Sequence, residues 1–103
     1  MLSPLDGPSK QGLLSSVGTV TPVEVKVGAS AFSDRKVITM QSHDGKFYVY
    51  FADTGETPSA ATVTANGFIQ FKDQKESYEA GEKQVVYVLS VSGTIDIRIA
   101  ERA

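Results

Sequence analysis

A chain of 103 residues has material for one hydrophobic core and little area to spare. Its 10 basic and 12 acidic side chains mix along the chain to a net charge of −2, and no basic stripe exists to neutralise phosphates, which argues against a nucleic-acid partner. The absence of cysteine removes disulfides, thiol nucleophiles and Cys-based metal sites. No apolar run approaches the roughly 20 residues of a bilayer span, so no membrane partner is expected. The opening MLSPLDGPSKQG lacks the basic start and apolar run of a secretory signal. A soluble protein made in the cytoplasm is the resulting expectation.

Residues 1–16 stand apart in composition. Pro4, Gly7, Pro8 and Gly12 sit among serines with no periodic pattern, which predicts an extended N-terminal arm ahead of a domain over residues 17–103. Leu2, Leu5, Leu13 and Leu14 in this arm each need burial, worth ~1.5–3 kcal/mol per side chain. They fold back onto their own domain, or Met1–Gly12 is simply disordered, or the arm lies across a neighbouring subunit; the arm is expected to serve assembly.

From Val17 onward the pattern is β. In VEVKV, Val23, Val25 and Val27 share a face, and Pro22 argues for an edge position or a bulge. RKVITMQSHDGKFYVYF reads as a hairpin about Asp44-Gly45, a pair suited to a type I′ turn. In that register Met40 faces Val49, Ile38 faces Phe51, and Phe47 joins them on one apolar face. The segment ATVTANGFIQF carries a strong turn signal at Asn66-Gly67, but a two-residue loop there sets Val63 opposite Gln70, so a bulge or longer loop is expected. KDQKESYEAGEK reads as a polar loop with a turn at Gly81. The closing VVYVLSVSGTIDIRIAERA reads as a second hairpin about Ser92-Gly93, which places Val86, Val88, Ile95, Ile97 and Ile99 on one face. No segment shows a helical apolar period. About seven or eight short strands predict an all-β, single antiparallel β-sandwich or small barrel. The closing strand is expected inside a sheet, with the fold complete at its end.

Little in the sequence suggests chemistry. His43, the only histidine, sits beside the expected Asp44-Gly45 turn with no serine or cysteine nucleophile at a familiar spacing. Asp53 and Glu56 flank Thr54-Gly55 but lack the calcium-loop pattern, and Glu76, Glu79 and Glu82 read as a solvated loop. No catalytic residue, metal site or cofactor is expected. The unexplained feature is the second face of each expected hairpin. Val37, Tyr48 and Tyr50 lie on one, with Val85, Tyr87, Leu89 and Val91 on the other, and sparsely charged faces rich in tyrosine suit a subunit contact. Leu2, Leu5, Leu13, Leu14, Val37, Tyr48, Tyr50, Tyr87 and Leu89 are the candidate interface residues.

From Arg35 onward the features follow a recurrent order. A basic residue opens the strand RKVITMQ, the aromatic-rich KFYVYF follows, and a Thr-rich segment leads into ANGFIQFKDQ. A glycine precedes VVYVLSVSG, and the chain closes on TIDIRIAERA. This order, covering about two thirds of the chain, resembles the small structural virion proteins of tailed bacteriophages, such as capsid decoration (cement) proteins, head fibres and tail-associated pieces. The resemblance implies a jelly-roll-like sandwich, a non-enzymatic role and location on the virion. It implies the major capsid protein or other virion subunits as partners, and a homo-oligomer, a trimer by family analogy. The function implied is stabilising the head lattice by area buried between subunits. The alternative is a ligand-binding sandwich, such as a carbohydrate-binding or host-attachment module stacking sugars on Tyr48 and Tyr50.

Overall fold

The computed structural model describes residues 9–103. Among them, strands β1 (Ser9–Val17), β2 (Val23–Glu24), β3 (Val37–Gln41) and β4 (Phe47–Phe51) precede a short helix, α1 (Ala60–Asn66). Strands β5 (Phe68–Gln70), β6 (Glu76–Glu79), β7 (Val86–Ser90) and β8 (Ile95–Arg102) follow it. Two four-stranded antiparallel sheets result, sheet A in the order β1-β8-β3-β6 and sheet B in the order β2-β7-β4-β5. Eight strands in this order form a jelly roll, one of the ways a double-sheet fold limits its open edges.

The winding explains the rows of buried residues. Every link except β4–β5 carries the chain from one sheet to the other. Ile38 and Met40 of sheet A therefore face Phe47 and Val49 of sheet B across the core, as Ile95, Ile97 and Ile99 face Val86 and Val88. All nine are buried; Phe51, expected with them, is half-buried and meets the Tyr78 ring edge-on at 5.9 Å.

The two expected hairpins are thus absent as pairings. β3 pairs with β8 and β6, while β4 pairs with β7 and β5; residues 42–46 and 91–94 are arches between sheets. Neither Asp44 nor Gly45 has the positive φ that a type I′ turn demands. An arch also brings the two bends together, since a Cβ on Gly45 would stand 3.3 Å from an Ile95 methyl.

Ser9–Ser16, assigned by composition to the arm, form most of β1 and pair with β8 from Ser9↔Arg102 to Leu14↔Ile97. Gly12 belongs inside this strand because of crowding: a Cβ there would meet Val27 at 3.0 Å. A bulge between Leu14 and Val17, with Ser16 at φ 57°, lets both residues turn toward the core although they are an odd number of positions apart. Residues 1–8, with Leu2 and Leu5, lie outside the described residues.

Three further segments differ from expectation. β2 is short and lies at a sheet edge, the position Pro22 favours. Glu76–Glu79, read as part of a polar loop, is strand β6 on the edge of sheet A. The segment 60–66 is a helix rather than one arm of a hairpin, started by Ser59, whose hydroxyl accepts from the Thr62 N–H at 3.2 Å. Gly67 follows in extended conformation, and its value is close approach: a Cβ would lie 2.7 Å from the Val63 carbonyl oxygen and 3.1 Å from that of Val49.

One end of the sandwich is tied by charge. Glu101 points inward from β8, fully buried, and meets the Arg35 guanidinium at 2.7 Å. Arg35 spends its remaining donors on four carbonyls, those of Val25, Ala80, Gly81 and Gln84. Glu101 also accepts the N–H groups of Val27 and Phe32. This junction fixes the β2–β3 loop and the β6–β7 turn against β8, and it leaves no hydrogen-bonding group of the pair idle.

Candidate interaction surface

Among the described residues, those expected at an interface do not share a surface. Alternation along β1 and β3 puts Leu13 and Val37 on the outer face of sheet A. Leu13 is 54% exposed, Val37 is half-buried, and Leu14 points the other way into its own core. Tyr48, Tyr50, Tyr87 and Leu89 lie on the outer face of sheet B, where Tyr50 pairs with Tyr87 and Tyr48 with Leu89. That face is partly covered from within the chain. Helix α1 packs over β4 and β7; its Val63 is buried, and Leu89, outside the inter-sheet core cluster, is buried within its own chain. The reason is simple: 7 residues of helix supply the second layer that a strand apolar on both faces requires.

The tyrosines are half-buried, and Tyr50 has a specific partner. Its hydroxyl donates to Glu56 at 2.8 Å, and Glu56 also accepts the Asp53 N–H, so this carboxylate closes the turn it shares with Asp53. The hydrogen bond to Glu56, followed by burial and the nearby Glu56 and Asp53 charges, raises the Tyr50 pKa above its ordinary value. Burial, then the Glu76 charge, raises that of Tyr78. His43 lies at the surface with its Nδ1 2.8 Å from an Asp73 carboxylate oxygen. Among the described residues no group of three or more His, Asp or Glu side chains is placed to hold a metal ion, and no helix is long and apolar enough to cross a membrane.

The most exposed cluster of large apolar side chains lies elsewhere, at β5. This strand ends sheet B and pairs only with β4. Phe68 is 66% exposed and Phe71, just past the strand, 59%; Ile69 between them is also exposed. Gln70 shares its face with Phe68 by alternation but is the one buried residue of the strand; its amide donates to the Met40 and Gln74 carbonyls and accepts from the Tyr78 hydroxyl. One buried amide thus anchors the strand while its apolar neighbours remain outside. Sequence reasoning missed this surface because GFIQF was assigned to a hairpin. The usable signal was Gln70 itself, a polar residue interrupting an apolar run.

Edge strands expose unpaired backbone groups and are commonly protected by lysine, proline or a covering loop. Phe68, Ile69 and Phe71 give β5 the opposite character. The arrangement offers backbone hydrogen bonds and apolar area together, the combination a strand from another chain can use. No protein-family model and no curated protein sequence matches this chain.

Proposed function

We propose that this chain is a non-enzymatic structural subunit that works by docking onto neighbouring protein subunits, the role of a capsid decoration protein on a tailed-phage head. The β5 edge carries this reading. Three exposed apolar side chains along a strand with one unpaired edge are poor company for water, and burying each is worth ~1.5–3 kcal/mol. A second copy of the chain is the first partner, adding a strand to β5 and covering Phe68, Ile69 and Phe71; virion subunits are the further partners in the assembly. Resemblance of the stretch from Arg35 onward to virion proteins supplies the setting, and the jelly-roll winding is compatible with it.

The sugar-stacking alternative fits less well. Tyr48 and Tyr50 are half-buried, the Tyr50 hydroxyl is held by Glu56, and Gly67 after α1 lies against the Tyr48 Cβ. Stacking needs rings free on the surface.

Sedimentation equilibrium of the full chain over a wide concentration range tests the proposal. The wild type should self-associate, and a Phe68→Lys/Phe71→Lys variant should remain monomeric with an unchanged unfolding curve. A wild type that stays monomeric up to its solubility limit would refute the reading.

A further inference from the structure

The outer face of sheet A, on the opposite layer from β5, carries a groove of about 470 Å³. Its shape follows from strand register. A row of short or uncharged side chains, Gln11–Ala100–Thr39–Ser77, runs across the four strands, and its first three members form the floor. On one side stands the row containing Arg102, and on the other the row in which Arg98 lies between Leu13 and Gln41. Lys75 lines the groove beside Gln41. The two arginines are four residues apart on one strand, so their Cα atoms are ~13 Å apart with Ala100 between them.

The charges in this groove are unanswered. Lys75, Arg98 and Arg102 form no ion pair among the described residues, although the whole chain is net acidic. Asp96, the nearest acid along β8, accepts the Ser16 N–H at 2.9 Å instead. Glu79 ends the Arg102 wall, but it is two strands away, at ~10 Å. The groove offers further polar groups: the Thr39 hydroxyl, bonded at 2.8 Å to that of Ser77 just beyond the lining, and the Gln41 amide, whose nitrogen donates to the Asp73 carbonyl and leaves its oxygen free.

We infer that this groove binds an acidic polysaccharide, a chain of uronic acid residues lying across the strands. Two features select this occupant. In an extended uronate chain with a two-fold screw, successive carboxylates point to opposite sides, and the groove has one arginine in each wall; both stand on β8, so their long side chains splay along the groove to meet carboxylates one sugar apart. Each guanidinium can grip a carboxylate through two parallel hydrogen bonds. Floor side chains repeat at the ~4.8 Å interstrand spacing, close to the length of one pyranose residue, and present hydroxyl and amide groups to sugar hydroxyls. An acidic peptide fits less well. β8 and β3 are paired on both sides, so a peptide crossing them finds no free backbone ladder for its own N–H and C=O groups.

Calorimetric titration of the full chain with tetramannuronate, the neutral tetramannose of the same linkage, a tetraglutamate peptide and oligothymidylate tests the inference. The uronate should bind, weakening as salt is added, while the neutral sugar should not. Arg98→Gln and Arg102→Gln should each lose about tenfold in affinity or more, with unchanged melting temperature. Ala100→Phe, which raises the floor, should abolish binding; if it fails to fold, the two glutamine variants, at solvent-facing positions, still decide. Absence of uronate binding, equal binding of the neutral sugar, or peptide or oligonucleotide binding as tight as uronate would each overturn the inference.

Discussion

The Arg35–Glu101 junction and the β5 edge reverse the usual places of charge and grease. At the junction an arginine and a glutamate are almost wholly buried; at the edge two phenylalanines and an isoleucine are left in water. The difference lies in partners rather than residue class. Every donor of Arg35 has an acceptor within the chain, so the pair carries little unmet desolvation. Phe68, Ile69 and Phe71 have no such closure among the described residues, and the proposed docking would supply it. A buried charge here reports completeness, and an exposed ring reports its lack.

The comparison can be broken most sharply at the junction. Glu101→Ala strands Arg35 and two backbone N–H groups in the interior, and should cost ~3–5 kcal/mol in denaturant unfolding. Arg35→Lys should recover little, because an ammonium cannot reach the same spread of carbonyls from one planar fork. A loss below 1 kcal/mol for Glu101→Ala would mean that water enters the junction readily.

Next in size is Leu89, the residue expected at an interface but found beneath α1. Leu89→Ala should cost ~2–5 kcal/mol by opening a cavity between helix and sheet. A negligible effect would imply that the helix does not cover this face in solution.

Tyr50 gives a smaller, pH-dependent effect. Its pKa in the fold lies above the ordinary 10.0, so the fold favours the neutral phenol that donates to Glu56. That contribution is present in full below the unfolded pKa and is lost as pH rises through the folded one. Tyrosinate absorbance titrations should show one late-titrating phenol missing in Tyr50→Phe, with that of Tyr78 retained. Alkaline destabilisation should be shallower in the variant than in the wild type.

The smallest stability change is expected at β5. Phe68→Lys should leave unfolding within about 0.5 kcal/mol of the wild type, because the ring touches little in the monomer. A large loss would show that the ring packs against its own chain and would remove the contrast with Glu101.

Much of the core was legible in the sequence, and its connectivity was not. Alternation marks Ile38, Met40, Phe47, Val49, Val86, Val88, Ile95, Ile97 and Ile99 as inward-facing whether two runs pair or arch over one another. A hairpin sets both apolar rows on one face of one sheet; an arch sets them facing across a core. Short linkers at 42–46 and 91–94 are compatible with either, and only the true neighbours, β8 for β3 and β7 for β4, separate them. The helix was hidden because AATVTAN carries β-branched residues and a single buried side chain, Val63. Its start was written in Ser59, a cap residue after a proline, which the strong Asn66-Gly67 turn signal overshadowed. The β1 strand was obscured by Gly12 and the Ser15-Ser16 bulge, which break the alternation on which strand reading depends.

The winding also sets the order in which this protein can become itself. β8 is interior to sheet A, joining β1 to β3, and it is the last strand in chain order. Until residues 95–102 are in place, β1 has no partner in its sheet and the inward row of β3 has lost its widest neighbour. Pairings such as Lys10↔Glu101 close loops almost as long as the chain, so folding must wait on rare, distant encounters. Relaxation in milliseconds to seconds follows, rather than microseconds. A nascent chain would pass through a stage in which β3, β4 and β7 are made but unsheltered, and that interval is when misassociation through their apolar rows is most dangerous.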